Sequence, residues 1–237
     1  MKISRFSLLL SALCMAGTVQ AVATAPERAA DLDLNIVYYN KVITPDGVTR
    51  ESRYEEKMLR RPGHVWSTRV LPAQAKSGHD GHDGHGHAHE DGHRHGLNHI
   101  VMARHVIMDS KTPRLEFVDA KQRAVVAIPP TEFDNVNFDG SWERSFYLLD
   151  PRTLKTMAPS KRASTVAGAR WREREDAGGY ERVLWDEQRQ IPLVIESGDK
   201  AGTFYRRVDV TPQPKLAEMP WKKLQGYAQR EYADFLD

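Results

Sequence analysis

From Leu34 onward apolar and polar residues alternate. Leu34, Ile36 and Tyr38 share one parity, and Val42 and Ile43 extend the run. A period of two sends successive side chains to opposite faces, so this pattern predicts a strand with one buried face. Pro45-Asp46-Gly47 then supplies a turn: proline presets its φ and glycine accepts a positive one. Residues 48–60 read as a long polar strand, Pro62-Gly63 as the next turn, and residues 65–71 as a third strand. Strands joined by tight turns form a meander, which pairs antiparallel.

The alternation resumes at residues 100–108, 114–119 and 123–128, and Pro129-Pro130 interrupt it. Residues 141–149 read as another strand, with Trp142, Phe146 and Leu148 on one parity. Further strands are expected at 169–173, 180–185, 192–196 and 203–210. Two stretches look helical: a short lead-in at 26–33, and residues 221–236, where Pro220 suits a helix start and Trp221, Leu224, Ala228 and Phe235 would form the packed stripe. The expected fold is mainly β. It is a curled antiparallel sheet, a half-barrel or sandwich, with a C-terminal helix and a long disordered His-rich loop. No alternating βα units are present, which disfavours a doubly wound nucleotide-binding fold. Residues 22–237 read as one β-rich domain with the loop inserted at 77–97.

Residues 1–21 read as a secretory signal. Lys2 and Arg5 give a positive start, residues 6–17 an apolar run too short to span a bilayer, and Val19-Gln20-Ala21 a small-residue cleavage site. Cleavage would remove Cys14, the single cysteine, leaving no disulfide and no thiolate chemistry. Loss of Lys2 and Arg5 would also balance the charge at 32 basic and 32 acidic residues. With no large positive field, nucleic acid is not an expected partner. The expected location is the periplasm.

The insertion changes the picture most. Residues 77–97 read SGHDGHDGHGHAHEDGHRHGL, with no period that would bury a face. His79, His82, His85, His87, His89, His93, His95 and His99 fall within 21 residues and make up eight of the ten histidines. Asp80, Asp83 and Asp91 lie among them, as does Glu90. Neutral imidazole suits zinc, copper and nickel, and carboxylates can complete the sphere. The H-x-H pairs place two rings on one side of an extended chain. The H-x-x-H steps suit a turn around an ion, and the glycines permit the backbone angles. Such a pliable site implies several interchangeable coordination modes, suited to capture or handover. Zinc is the first expectation, with copper and nickel as alternatives. The methionines form no cluster that would favour Cu(I). His105 shares the parity of His99, Val101 and Ala103, and would add a more rigid ligand if it faced the base of the loop. His64 reads as a turn residue.

Enzyme signatures are weak. His87-x-His89-x-Asp91-x-His93 approaches the ligand pattern of metallo-β-lactamase-type hydrolases, but its last histidine falls one place late. H-E-x-x-H and G-x-S-x-G are both absent. Trp66, Trp142, Trp171, Trp185 and Trp221 read as core or cavity lining. Glu55-Glu56, the Glu173, Glu175 and Asp176 group, and Asp186-Glu187 read as solvated charges.

Two resemblances follow from these residues. The tract GHDGHDGHGHAHEDGHRHG resembles the histidine- and acid-rich loop of periplasmic zinc-binding proteins that serve ABC importers. The segment WDEQRQIPLVIESGDKAGTFYRRVDV is similar to the late hairpin of LolA-like and RseB-like proteins, in which a pair like Trp185-Asp186 precedes a turn and a Pro-Leu like Pro192-Leu193 opens the next strand. The second resemblance implies a half-barrel that holds lipid chains or lipoproteins in a concave apolar sheet. The sequence thus predicts a non-enzymatic metal-binding accessory protein that passes metal to a transporter or an apo-metalloprotein. The alternative is a LolA-like carrier or envelope sensor with an apolar ligand.

Overall fold

The computed structural model describes residues 29–72, 98–108 and 111–235. The proposed signal segment and the tract at 77–97 lie outside the described residues. One curled sheet of twelve strands organises the rest. In chain order these are β1 (Leu32–Ile43), β2 (Thr49–Arg61), β3 (His64–Val70), β4 (Ala103–Ile107), β5 (Arg114–Asp119), β6 (Ala124–Ile128), β7 (Ala158–Pro159), β8 (Ala169–Glu175), β9 (Gly179–Asp186), β10 (Ile191–Asp199), β11 (Phe204–Gln213) and β12 (Ala228–Glu231). Across the sheet they run β12-β6-β5-β4-β3-β2-β1-β11-β10-β9-β8-β7. Every pairing is antiparallel except that of β12 with β6. Among the described residues, no helix is long and apolar enough to cross a membrane.

The predicted turns form as their residues dictate. Gly47 and Gly63 close the first two hairpins at φ of 83° and 73°, a region that carries a steric penalty for residues with a Cβ. The late hairpin forms where the Trp-Asp and Pro-Leu pairs place it, between β9 and β10, with a register shift between Pro192 and Val194. Asp186 organises this turn by accepting hydrogen bonds from the backbone N–H groups of Gln188 and Arg189. It is buried, not solvated as its sequence neighbourhood implies.

The alternation along β1 and β2 sorts the two faces. Leu34 and Ile36 of β1, Met58 of β2, Val65 of β3, Val106 of β4, Phe117 of β5 and Val208 of β11 share one cluster on the inner face. The segment between β6 and β7 crosses this face and contributes Val136, Phe138 and Phe146. It contains two short helices, α1 (Trp142–Tyr147) and α2 (Pro151–Lys155). The outer face of β2 to β6 carries Leu59, Trp66, Val118 and Val125, covered by Trp221, Leu224 and Tyr227 of the C-terminal stretch.

Four expectations need correction. Within the span 141–149, residues 142–147 are helical, not extended. Ser141 caps α1 by accepting from the Arg144 N–H, and Trp142 and Phe146 also fit an i, i+4 helical spacing. The C-terminal stretch is not a helix. A short 3₁₀ turn at Pro220–Lys223 ends before Gly226 at φ 80°, β12 then pairs with the β6 edge, and a second 3₁₀ turn follows at Tyr232–Phe235. An unpaired strand edge offers a row of backbone donors and acceptors, and pairing with it outweighs helical propensity. Tyr232 and Phe235 pack back against the inner-face cluster, so this stretch wraps the sheet edge. At the other end, β1 begins at Leu32 inside the expected helical lead-in. Residues 99–102 form a turn, and β4 starts only at Ala103.

Candidate functional site

The inner face is incompletely filled. Two adjoining cavities, of about 490 and 660 Å³, open along it. They share Tyr38, Glu56, Ser67, Arg104, Asn137 and Arg206, so they form one groove across the middle of the sheet. Ligand pockets commonly fall in this size range. The floor is apolar on either side of the shared stretch. Ile36, Met58, Val106 and Val208 line one half, and Met102 and Phe117 line the other.

The shared stretch is polar and only partly self-satisfied. Tyr38 stacks on Tyr54 with ring centroids 4.6 Å apart, and the Glu56 carboxyl interacts electrostatically with both phenols. Burial pushes the Glu56 carboxyl above its usual range, against the pull of Arg104 and Arg69, and it pushes the Tyr38 phenol up as well. Arg104 lies over the Phe138 ring, 4.8 Å from its centroid. Burial lowers the pKa of its guanidinium, and the buried Nε has no hydrogen-bond partner among the described residues. No described carboxylate comes within the 4.0 Å of an ion pair with Arg104. Arg69 covers the Tyr54 ring at 4.2 Å, and Arg206 lines both halves of the groove. At the rim, Arg144 and Asp139 pair with each other at 2.8 Å.

Of the expected metal ligands, His79, His82, His85, His87, His89, His93, His95, Asp80, Asp83 and Asp91 lie outside the described residues. His99 stands at the groove, its ring 5.7 Å from that of Phe117. His105 is not beside it. It lies on the outer face, 3 % exposed, between Trp66 and Trp221. The shared parity does not carry across the turn at 99–102, which places the two histidines on opposite sides of the sheet. His105 Nε2 instead sits 3.0 Å from His64 Nδ1, and Trp221 stacks on both rings. Glu116 approaches His105 Nδ1 only to 3.5 Å, and that nitrogen has no hydrogen-bond partner among the described residues. Burial, and then His105, lower the pKa of His64. Among the described residues, no group of three or more His, Cys, Asp or Glu side chains is arranged to hold a metal ion.

The sequence reading missed Arg104, Arg206 and Arg69, and it placed Glu56 among solvated charges. The available signal was parity. Glu56 shares a face with Tyr54 and Met58, and Arg104 shares one with Val106, so each is a charge on an apolar stripe.

No family model matches the chain, and no curated protein matches it. Solved structures are similar at low identity. PNGF-II is 9% identical over 87% of this chain and 32% of its own, with a TM-score of 0.38. This chain therefore spans about a third of the length of that structure. MucB in the Pseudomonas aeruginosa MucA/MucB complex is 13% identical over 82% of this chain and 55% of its own, at 0.38. A LolA superfamily protein from Nitrosomonas europaea is 10% identical over 84% and 91%, at 0.32. All three scores lie below 0.5, and the fold stands on the strand order and registers above.

Proposed function

We propose that this chain is a non-catalytic binding protein of the cell envelope that holds an apolar or amphipathic ligand along the inner face of its sheet, as a carrier or sensor. The observation that carries this reading is the groove: one continuous opening with an apolar floor, placed where a filled core would otherwise close the fold. Close packing is the rule in protein interiors, and a gap of this size that exposes aliphatic side chains beside a polar stretch suits an amphipathic occupant. Mass spectrometry of organic extracts from chain purified out of the envelope should detect a bound amphiphile. Ser67→Trp, which places an indole in the shared stretch, should lower affinity for a fluorescent acyl probe by at least about tenfold. An unchanged affinity in a folded Ser67→Trp protein would refute the groove as the site.

A second reading is favoured by the density of imidazoles and by the position of His99. We propose that the histidine tract captures a transition metal, zinc before copper or nickel. Calorimetry on the full chain should show zinc uptake that deletion of residues 77–97 removes. Uptake should fall as pH drops through about 6, because each ligand must shed a proton. Equal zinc binding by both forms would assign the metal elsewhere.

A further inference from the structure

The groove carries a chemical preference. The part common to its two halves is flanked by three guanidinium groups, those of Arg69, Arg104 and Arg206. Glu56 is the carboxylate among them, and burial favours its neutral form. Asp139 is engaged with Arg144, and Asp134 lies in only one of the two halves. Tyr38 and Ser67 add hydroxyl groups to the same stretch. A buried cation without an ion-pair partner is costly, because desolvation is not offset by Coulombic attraction. Arg104 is partly buried and bears part of this cost: its buried Nε is unpartnered, Phe138 lies against the guanidinium, and Glu56 attracts it without forming an ion pair. Arg69 and Arg206 likewise form no ion pair with a described carboxylate. Excess positive charge in a low-dielectric cleft draws in a negative group, and guanidinium is the side chain best matched to carboxylate and phosphate oxygens.

We propose that the groove selects amphiphiles with an anionic head, a carboxylate or phosphate that seats on Arg104 with Arg69 and Arg206 around it, while the acyl chain runs over the apolar floor. This proposal rests on the groove being the ligand site and adds the class of its ligand. The floor disfavours a free inorganic anion as the preferred ligand, since such an ion would leave the aliphatic surface on both sides uncovered. The cluster also fits the order of the strands. Tyr38, Glu56, Ser67 and Arg104 come from β1, β2, β3 and β4, four neighbours in the sheet, so their side chains project from adjacent strands toward one spot.

The test compares a long-chain fatty acid, the fatty alcohol of the same chain length, a lysophosphatidate and inorganic phosphate as competitors of a fluorescent acyl probe on the full chain. The acid and the lysophosphatidate should bind at least about tenfold more tightly than the alcohol, and phosphate alone should compete weakly. Arg104→Gln should bring the acid to the level of the alcohol and leave the alcohol unchanged. Arg206→Gln, at an exposed position, should shrink the preference to about a third, and it serves if the Arg104 variant does not fold. Equal binding of acid and alcohol by the native chain overturns the anionic preference and leaves the groove intact as an apolar site. A preference that survives in folded Arg104→Gln removes Arg104 as its source and overturns the assignment. Phosphate competing as strongly as the acid would make this a plain anion site. Binding of none of the acyl compounds would overturn the groove reading itself.

Discussion

Arg60 of β2 and Arg104 of β4 both project onto the inner face, and both lose water in doing so. Arg60 is 0 % exposed, yet every branch of its guanidinium finds an acceptor. It donates to the backbone carbonyls of Ala30, Phe146, Arg189 and Gln190 at 2.7–3.4 Å and lies 4.8 Å from the Phe146 ring centroid. Burial still lowers its pKa to about 10, so the site stabilises charge through dipoles and hydrogen bonds without a close carboxylate. The residues just before β1, the end of α1 and the β9–β10 turn all meet on this one side chain. Arg104 has a ring beneath it and an unpartnered Nε. At one end of the face the fold itself satisfies a buried cation. In the middle it leaves a partly buried one with its Nε unpartnered beside an open groove.

Substitution separates these two roles most sharply. Arg60→Met should destabilise the protein by about 3 kcal/mol or more, because four carbonyls lose their donor while staying buried. Urea denaturation should show the midpoint falling at unchanged slope. A loss under about 1 kcal/mol would mean that water replaces the guanidinium there.

Next in size is Trp221→Ala. This ring covers His64, His105 and Trp66 on the outer face, and its loss should cost about 2 kcal/mol, less than a fully buried tryptophan because it is only partly buried. Thermal melts check this. A stability change within about 0.5 kcal/mol would show that the C-terminal wrap contributes little.

Arg104→Met should change stability by less than about 1 kcal/mol, and in the stabilising direction, since a partly desolvated charge with no ion-pair partner gives way to an apolar group. Destabilisation comparable to that of Arg60→Met would erase the contrast between the two sites.

The smallest effect concerns the histidine pair. The folded pKa of His64 is depressed, so protonation favours the unfolded chain. Its contribution is fully present above the unfolded value of about 6.5 and is lost as pH falls from there toward the folded value. The charges and partners facing it are His105, Glu116 and Arg114. Stability measured between pH 7 and 5 should fall less steeply in His64→Gln than in the native chain. Identical pH profiles would place the acid sensitivity elsewhere.

Much of the sheet is legible in the sequence. Residues 114–119 match β5 end to end, and the turns at Pro45-Asp46-Gly47 and Pro62-Gly63 fall where proline and glycine put them. Alternation and turn chemistry are local, so they survive without knowledge of neighbours. The errors arose where two local patterns coincide. Trp142 and Phe146 satisfy both a strand parity and a helical i, i+4 step, and only the Ser141 cap decides between them. The groove was less legible than the strands. Its polar residues are scattered over β1, β2, β3, β4 and β11 and carry no shared motif.

The sequence alone determined the meander, the tight turns, the two-faced strands and a histidine density that suits divalent metals, because each depends on residues close together in the chain. Only the tertiary structure decided that Arg60 is satisfied and Arg104 is not, that His105 turns away from His99, and that the C-terminal stretch pairs with a strand edge. Each of these depends on partners brought together from distant parts of the chain. Desolvation and hydrogen bonding act on the assembled neighbourhood, and no local pattern encodes it.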